Sequence, residues 1–168
     1  MGSNVNYFSG VRLLKVALVI CTCLSLIFSV NVSAHAQLAR AAEKGQIDEI
    51  TRLLEQGIEV NSRLNDGTTA LHWAVLRDQE ESVSLLMEAG ADPLALNRNG
   101  ISPLFLAAQN GNKKIVSWLL NAGADPNTLS ENGETILMTA AHTGKSEVVN
   151  LLLASGALID YRDPEFQQ

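Results

Sequence analysis

The stretch Thr69-Ala70-Leu71-His72-Trp73-Ala74 decides the fold, because its pattern returns along the chain at a fixed interval of 33 residues. The second copy is Ser102-Pro103-Leu104-Phe105-Leu106-Ala107, and the third is Thr135-Ile136-Leu137-Met138-Thr139-Ala140. Recurrence at such an interval is typical of proteins in which each repeat is one supersecondary unit and neighbouring units stack. The chain is therefore predicted to be a stack of short helical units.

Seven columns of residues agree when the sequence is aligned with itself at this interval. In the first two, a leucine and an alanine stand three positions apart, so they share one helix face, and the small alanine lets a second helix approach closely. The columns are Leu38, Leu71, Leu104 and Leu137; Ala41, Ala74, Ala107 and Ala140; Ile50, Val83, Val116 and Val149; Leu53, Leu86, Leu119 and Leu152; Leu54, Met87, Leu120 and Leu153; Gly57, Gly90, Gly123 and Gly156; and Gly67, Gly100 and Gly133.

Local signals predict the bounds of two helices in each unit. A hydroxyl side chain that can accept a hydrogen bond from the first turn opens the first helix. These N-cap residues are Thr69, Ser102 and Thr135. Gly45, Gly111 and Gly144 predict a tight turn after it, whereas Asp78 stands in the same column. An aspartate adopts the left-handed conformation less readily than glycine, so we expect this turn to be the loosest.

The second helix of each unit is followed by a predicted hairpin. In the second repeat this helix contains Val83, Leu86 and Met87 at helical spacing and ends at Gly90. The dipeptides Asp66-Gly67, Asn99-Gly100 and Asn132-Gly133 favour tight hairpins. Each hairpin is expected to project as a finger between one helix pair and the next.

These motifs resemble the ankyrin repeat, which is 33 residues long and has the signature Thr-Pro-Leu-His-x-Ala. Leu71-His72 and the Ala-Asp-Pro-Asn run at 124–127 strengthen the resemblance. It implies an all-α ankyrin-repeat solenoid of helix-turn-helix units with short hairpin loops. The repeats would span 37–64, 65–97, 98–130 and 131–163, followed by a C-terminal tail at 164–168. The resemblance also implies that His72 forms hydrogen bonds between neighbouring repeats. The signature is altered at Ala70 and Ile136 in the proline column, and at Phe105 and Met138 in the histidine column.

The N-terminal segment at 1–36 is typical of a secretory signal peptide. Residues 16–30 are almost wholly apolar, and Ser33-Ala34-His35-Ala36 ends in the small-x-small pattern of a cleavage site. Cleavage is expected after Ala36, which would place the mature protein in a bacterial periplasm or outside the cell. An uncleaved signal anchor is the alternative, although fifteen apolar residues are fewer than the roughly 20 that cross a bilayer.

Composition and residue types give no support for catalysis, so the protein is predicted not to be an enzyme. Cys21 and Cys23 both lie in the apolar segment, and only His72 and His142 remain in the predicted mature chain. The two histidines are too far apart for the short-range pairing of zinc sites. The glycines punctuate helices and form no phosphate loop, so no cofactor or metal is expected. The net charge of −6 disfavours nucleic acid and anionic lipid, and it favours a basic partner.

The resemblance implies that a protein partner docks on a concave face formed by the hairpins and the first helices. Transferred by register, this face contains Asn65, Asp66, Thr68, Trp73, Leu76, Arg77, Arg98, Asn99, Ile101, Gln109, Asn110, Glu131, Asn132, Glu134, His142 and Thr143, with Glu43 and Lys44 from the first repeat. Within it, Trp73, Leu76, Arg77 and Ile101 are expected to dominate, since aromatic residues and arginine contribute most to interfaces. Trp73 could instead pack between repeats, and Trp118 is expected to lie in the core.

The predicted function is a non-catalytic protein–protein interaction module, monomeric, that acts outside the cytoplasm. Three alternatives stay open: a dedicated inhibitor or immunity-type protein for a secreted toxin or enzyme, a membrane-tethered scaffold, and an enzyme-supporting subunit. Arg40 and Arg52 are predicted to give the first repeat a polar outer face, as a terminal repeat needs. At the other end, the segment with Ile159, Tyr161 and Phe166 is predicted to fold back over the last repeat, unless that end is itself a docking surface.

Overall fold

Eight helices in four consecutive pairs occupy residues 36–159, which are the residues that the computed structural model describes. The helices are α1 at 36–44, α2 at Ile47–Glu55, α3 at Ala70–Leu76, α4 at Glu80–Glu88, α5 at Pro103–Asn110, α6 at Lys113–Asn121, α7 at Ile136–His142 and α8 at Ser146–Ala154. The predicted signal peptide, except Ala36, lies outside the described residues, as do Tyr161 and Phe166.

The predicted N-caps are confirmed at the starts of α3, α5 and α7. The Ser102 hydroxyl accepts a hydrogen bond from the Phe105 amide at 3.1 Å, and the Thr135 hydroxyl accepts one from the Met138 amide at 3.0 Å. Thr69 accepts from His72 in the same way. Loss of such a cap costs about 1 kcal/mol, so these hydroxyls fix where the first helices begin.

Helix pairs stack in series, and their contacts follow the predicted columns. The first helices α3, α5 and α7 pack against one another in order, and the second helices pack as α2 with α4 and α6 with α8. All four alanines of the second column are buried. Leu137 is only half-buried, unlike the other leucines of its column. Among residues 36–159 the architecture is all-α, with a single isolated bridge between Leu129 and Thr135 in place of strands.

Hairpins between the helix pairs confirm the predicted fingers and are tied to each other. The Arg98 amide donates to the Asp66 carbonyl at 2.8 Å, and the Glu131 amide donates to the Asn99 carbonyl at 3.1 Å. Gly67 has φ of 80°, and a Cβ there would lie 3.2 Å from the backbone of the next hairpin. Glycine therefore provides both the left-handed turn and the room for the neighbouring finger.

The turn between α3 and α4 has the backbone that its sequence predicts. Asp78 has φ of 57° and is the one residue other than glycine with positive φ in the described part of the chain. Its carboxylate accepts a hydrogen bond from the Asn112 side chain at 2.8 Å. The strained conformation is confirmed, and the greater looseness of this turn stays a prediction.

The two ends of the stack differ in polarity. At the first repeat Arg40 and Arg52 are exposed, and the Arg52 guanidinium pairs with the Glu49 carboxylate. At the last repeat Met138 is 58% exposed and Ile159 is 78% exposed. Ile159 itself is therefore not buried against the last repeat. The rest of the segment predicted to fold back, with Tyr161 and Phe166, lies outside the described residues, so the fold-back of that segment stays a prediction.

Candidate partner-binding surface

The predicted binding residues lie in two groups, one on the hairpins and one near the ends of the first helices. The hairpin group is Asn65, Asp66, Thr68, Arg98, Asn99, Ile101, Glu131, Asn132 and Glu134. The helix group is Trp73, Leu76, Arg77, Gln109, Asn110, His142 and Thr143. All except Thr68 have exposed or half-buried side chains, which a docking surface requires.

Thr68 shapes its hairpin rather than presenting a side chain to a partner. Its residue is only 8% exposed, and its amide donates to the Asp66 carboxylate at 2.9 Å. The hydrogen bonds from Thr68 lower the pKa of Asp66, since they stabilise the carboxylate. Asp66 is therefore held as a fixed negative charge on the first of the linked fingers.

Trp73 and Arg77 form the centre of the helix group, together with Glu43 from the first repeat. The guanidinium carbon of Arg77 lies 6.0 Å from the centroid of the Trp73 ring, at the limit of a cation–π contact. Its Nη2 atom is 2.7 Å from the Glu43 carboxylate. Both partners of this pair are partly exposed, so the pair stabilises the fold by less than about 1 kcal/mol. Glu43 therefore holds Arg77 only weakly.

Asn110 fixes the end of α3 beside this pair. Its side-chain amide donates to the carbonyl of Val75 at 2.8 Å and to that of Leu76 at 3.3 Å. These are among the last carbonyls of the helix, which have no partner within it. The Leu76 side chain is left 39% exposed next to Arg77. An apolar side chain thus lies on the surface beside an aromatic ring and a cation.

Ile101 lies apart from the other three residues that were expected to dominate the interface. Its carbonyl oxygen is 3.1 Å from Nε2 of His72, in the first turn of α3, whereas Leu76 is the last residue of that helix. Four residues of helix separate these positions by about 6 Å along the axis. The structure groups Trp73, Leu76 and Arg77, and it places Ile101 on the hairpin at the opposite end of α3.

The fourth repeat contributes polar side chains that are partly engaged within the chain. Thr139 donates to the Glu134 carboxylate at 2.9 Å, and the Thr143 hydroxyl donates to the Thr139 carbonyl at 3.0 Å. His142 is exposed at the end of α7. The predicted binding residues of this repeat, Glu131, Asn132, Glu134, His142 and Thr143, are therefore all polar, and none is an apolar counterpart of Leu76.

The side chain of His72 is buried and forms hydrogen bonds within the chain. Burial is the main cause that lowers its pKa, and both ring nitrogens have hydrogen-bond partners. The contact with Ile101 confirms the hydrogen bond between neighbouring repeats that the resemblance implied for His72.

Among residues 36–159, no group of three histidine, cysteine or acidic side chains is arranged to bind a metal ion.

Trp118 is the residue whose environment the sequence describes least well. It packs partly against the core, as expected, but it also lines an open groove between α4 and α6. The neighbouring repeats have Leu85 and Leu151 in the same column, so the change to tryptophan was the sequence signal that could have pointed to this groove.

None of the helices in the described part of the chain combines the length and apolar character needed to span a bilayer.

Comparison with known proteins agrees with the repeat pattern. A family model described as ankyrin repeats in three copies matches residues 20–97 and 89–163. The chain is also similar to the acyl-CoA-binding domain-containing protein 4 of Oryza sativa subsp. japonica, with 45% identity over 47 residues. That segment is 28% of this chain and 14% of the rice protein, so the chain spans a small part of this relative.

Proposed function

Since the chain belongs to the ankyrin repeat family, we propose that it is a non-catalytic module that binds one protein partner through its hairpins and first helices. Ankyrin repeats generally mediate protein–protein interaction, and this function needs a rigid surface rather than reactive groups. The packing of α3, α5 and α7 on one another in series supports this proposal. Binding would stabilise or inhibit the partner by mass action.

The observation that supports this proposal best is the contrast between uniform buried columns and variable exposed ones. Leu71 and Leu104 are buried in equivalent positions, as are the alanines that follow them. At the exposed ends of the first helices, Leu76 is replaced by Gln109 in the third repeat and by His142 in the fourth. A common scaffold therefore presents a different side chain in each repeat, which is what recognition of one particular partner requires.

Charges along this surface are mixed, which favours a partner with both signs of charge. Asp66 lies beside Arg98 through the backbone bond between their hairpins, and Asn99 lies beside Glu131 in the same way. The exposed Leu76 and the half-buried Trp73 would provide the apolar centre, surrounded by these polar groups. Interfaces commonly have this arrangement of an apolar centre and a polar rim.

A differential pull-down tests the proposed surface. Immobilised wild-type chain and a Leu76→Asp, Arg77→Glu variant would be incubated with extract from the source cells, and captured proteins would be identified by mass spectrometry. Leu94→Asp is the control for the leucine change, because it places an aspartate at an exposed leucine in the loop that follows α4, and Arg77→Glu alone measures the effect of the charge reversal. We expect a protein captured by wild type and by the Leu94→Asp control to be lost from the double variant. Identical captures by these three chains would contradict the proposal.

We also propose that the module acts outside the cytoplasm, in a bacterial periplasm or secreted. The support is the sequence of residues 1–36, with its apolar run and small-x-small end. N-terminal sequencing of the protein recovered from cell fractions tests this. A mature N-terminus at Gln37 in the periplasm or medium is expected, whereas an intact N-terminus in the membrane fraction would favour the anchored scaffold.

A further inference from the structure

A groove lies between the second helices α4 and α6, on a different row of helices from the surface described above. It has a volume of about 320 Å³ and is lined by Ser84, Met87, Glu88, Trp118, Asn121 and Ala122. Pockets for whole cofactors or drug-sized ligands usually have volumes of 300–1,000 Å³. This open groove, at the low end of that range, fits a single side chain better than a cofactor.

The Glu88 carboxylate in the groove accepts a hydrogen bond through only one of its two oxygens. The Ser84 hydroxyl, one turn earlier on α4, donates to Oε1 of Glu88 at 3.1 Å. The other carboxylate oxygen of Glu88 has no hydrogen-bond or ion-pair partner within residues 36–159. A carboxylate in this state can accept a charge-assisted hydrogen bond from a ligand.

Trp118 forms the opposite wall and attracts cations. Lys114, one turn earlier on α6, already places its ammonium nitrogen 4.9 Å from the centroid of the indole ring. That ammonium is also 2.7 Å from Glu80, so its charge is compensated within the chain. The groove lies toward the C-terminal end of α6, where Asn121 and the adjacent Ala122 line it, and the indole of Trp118 is the aromatic ring in its lining.

We propose that this groove binds an arginine side chain from a basic segment of a protein partner. A guanidinium group is planar and can stack on an indole while it donates two hydrogen bonds to a carboxylate. The aliphatic part of the arginine would contact Met87. Charge complementarity favours this occupant, because the groove offers an unpaired carboxylate and the whole chain has a net charge of −6.

The repeat structure supplies an internal control for this site. Between α2 and α4 the equivalent positions hold Glu55 in place of Glu88 and Leu85 in place of Trp118. The earlier groove thus has the carboxylate at the same register without the aromatic wall. Glu55→Gln removes one negative charge at an equivalent exposed position, so it separates a site at Glu88 from a general charge effect.

Titration of the full chain by NMR tests the proposal. The probe is N-acetyl-arginine amide, followed through the indole N–H signals of the two tryptophans, which a Trp73→Phe variant assigns. N-acetyl-citrulline amide is the neutral control ligand of the same shape, and N-acetyl-lysine amide tests whether a guanidinium is required. We expect a saturable shift at Trp118 with a millimolar dissociation constant, and weaker or unsaturable shifts with the other two ligands.

Three variants complete the test. Glu88→Gln is expected to weaken arginine binding by about threefold, the effect of one partly exposed ion pair. Glu55→Gln is expected to leave it unchanged. Trp118→Leu, checked for folding by circular dichroism, is expected to abolish the saturable binding. Equal binding of arginine and citrulline, equal binding of arginine and lysine, or equal effects of the two glutamate variants would each overturn the proposal.

Discussion

The Nε2 atom of His72 lies 3.1 Å from the carbonyl oxygen of Ile101, so the imidazole of one repeat donates a hydrogen bond to the hairpin of the next. A carbonyl only accepts hydrogen bonds, and the proton therefore belongs on Nε2. Nδ1 is then free to accept from the Thr69 amide at 3.2 Å. The neutral ring satisfies both contacts at once, whereas a protonated ring would lose the second.

Stability should therefore fall in mild acid. Burial lowers the pKa of His72 in the folded chain below its ordinary value of 6.5. The unfolded chain takes up the proton first, so the free energy of unfolding decreases as the pH falls from 6.5 toward the folded pKa, and the contribution of His72 is complete above 6.5. Urea unfolding at pH 8.0, 6.5 and 5.0 measures this decrease.

His72→Phe is the control for the pH experiment, because Phe105 occupies the equivalent position in the third repeat. This variant is expected to lose about 1–3 kcal/mol at pH 8, since the Ile101 carbonyl and the Thr69 amide lose a partner. It should also be less sensitive to pH between 6.5 and 5.0. If the variant and the wild type had the same pH dependence in this range, His72 would not be its source.

Asp78→Gly should stabilise the chain by about 0.5–1 kcal/mol, because the left-handed conformation is strained for residues with a Cβ. The Asn112 side chain loses its hydrogen bond to Asp78 but keeps the one that it already donates to Glu80 at 3.0 Å, so it is not left without a partner. Thermal and urea unfolding measure the change. Gly144→Asp is the matched reverse change, since Gly144 has φ of 72° and free space where a Cβ would lie. It should destabilise by about 1 kcal/mol, and a stability gain in this reverse variant would contradict the argument.

Leu94→Asn should add a connection between the second and third repeats. Asn61 donates to the Gly90 carbonyl at 3.0 Å and accepts from the Asp92 amide at 2.7 Å, and Asn127 makes the equivalent pair of bonds in the fourth repeat. Leu94 stands in the same column and is 55% exposed. We expect about 1 kcal/mol of added stability from the new hydrogen bonds.

Asn61→Leu is the reverse change for this connection and should destabilise the chain by a similar amount. Both variants can be measured by urea unfolding beside the wild type. A Leu94→Asn variant no more stable than the wild type would show that the third repeat is tilted out of register with this asparagine.

Ser82→Ala should stabilise α4. Ser82 is fully buried, and in the described part of the chain its hydroxyl is the buried side-chain group without a hydrogen-bond partner. Removing an unsatisfied hydroxyl and adding a better helix former should raise the free energy of unfolding by about 1–2 kcal/mol. Ser84→Ala is the control on the same helix, because its hydroxyl is bonded to Glu88. Equal gains in the two variants would attribute the effect to helix propensity alone.

Much of this architecture could be predicted from the sequence because its signals are local. The caps at Ser102 and Thr135 and the turns at Gly67 and Gly100 each depend on a few adjacent residues. Each cap or turn signal is weak by itself, but its recurrence at intervals of 33 residues makes the prediction of the helix bounds clear. The strained backbone at Asp78 followed from the same comparison of columns, since one row broke a pattern that the others kept.

Contacts between repeats could not be predicted in the same way. The bond from Asn110 to the Val75 carbonyl joins residues 35 positions apart, and whether it forms depends on the tilt between successive helices. The groove beside Trp118 also depends on this tilt. The column of Trp118 predicts an apolar contact, but it does not predict how much of the ring faces solvent. Leu137 is less buried than its column suggests, because no further described repeat packs on its other side.

The serial packing of α3 on α5 and of α5 on α7 has a consequence for how the molecule opens. Each helix pair is stabilised mainly by its immediate neighbours, so the loss of one pair need not unfold the others at the same time. Unfolding is expected to begin at α8, beside the exposed Ile159, and to advance one helix pair at a time. A ligand held at Arg77 would halt that advance midway and leave the far end to fray and re-form by itself.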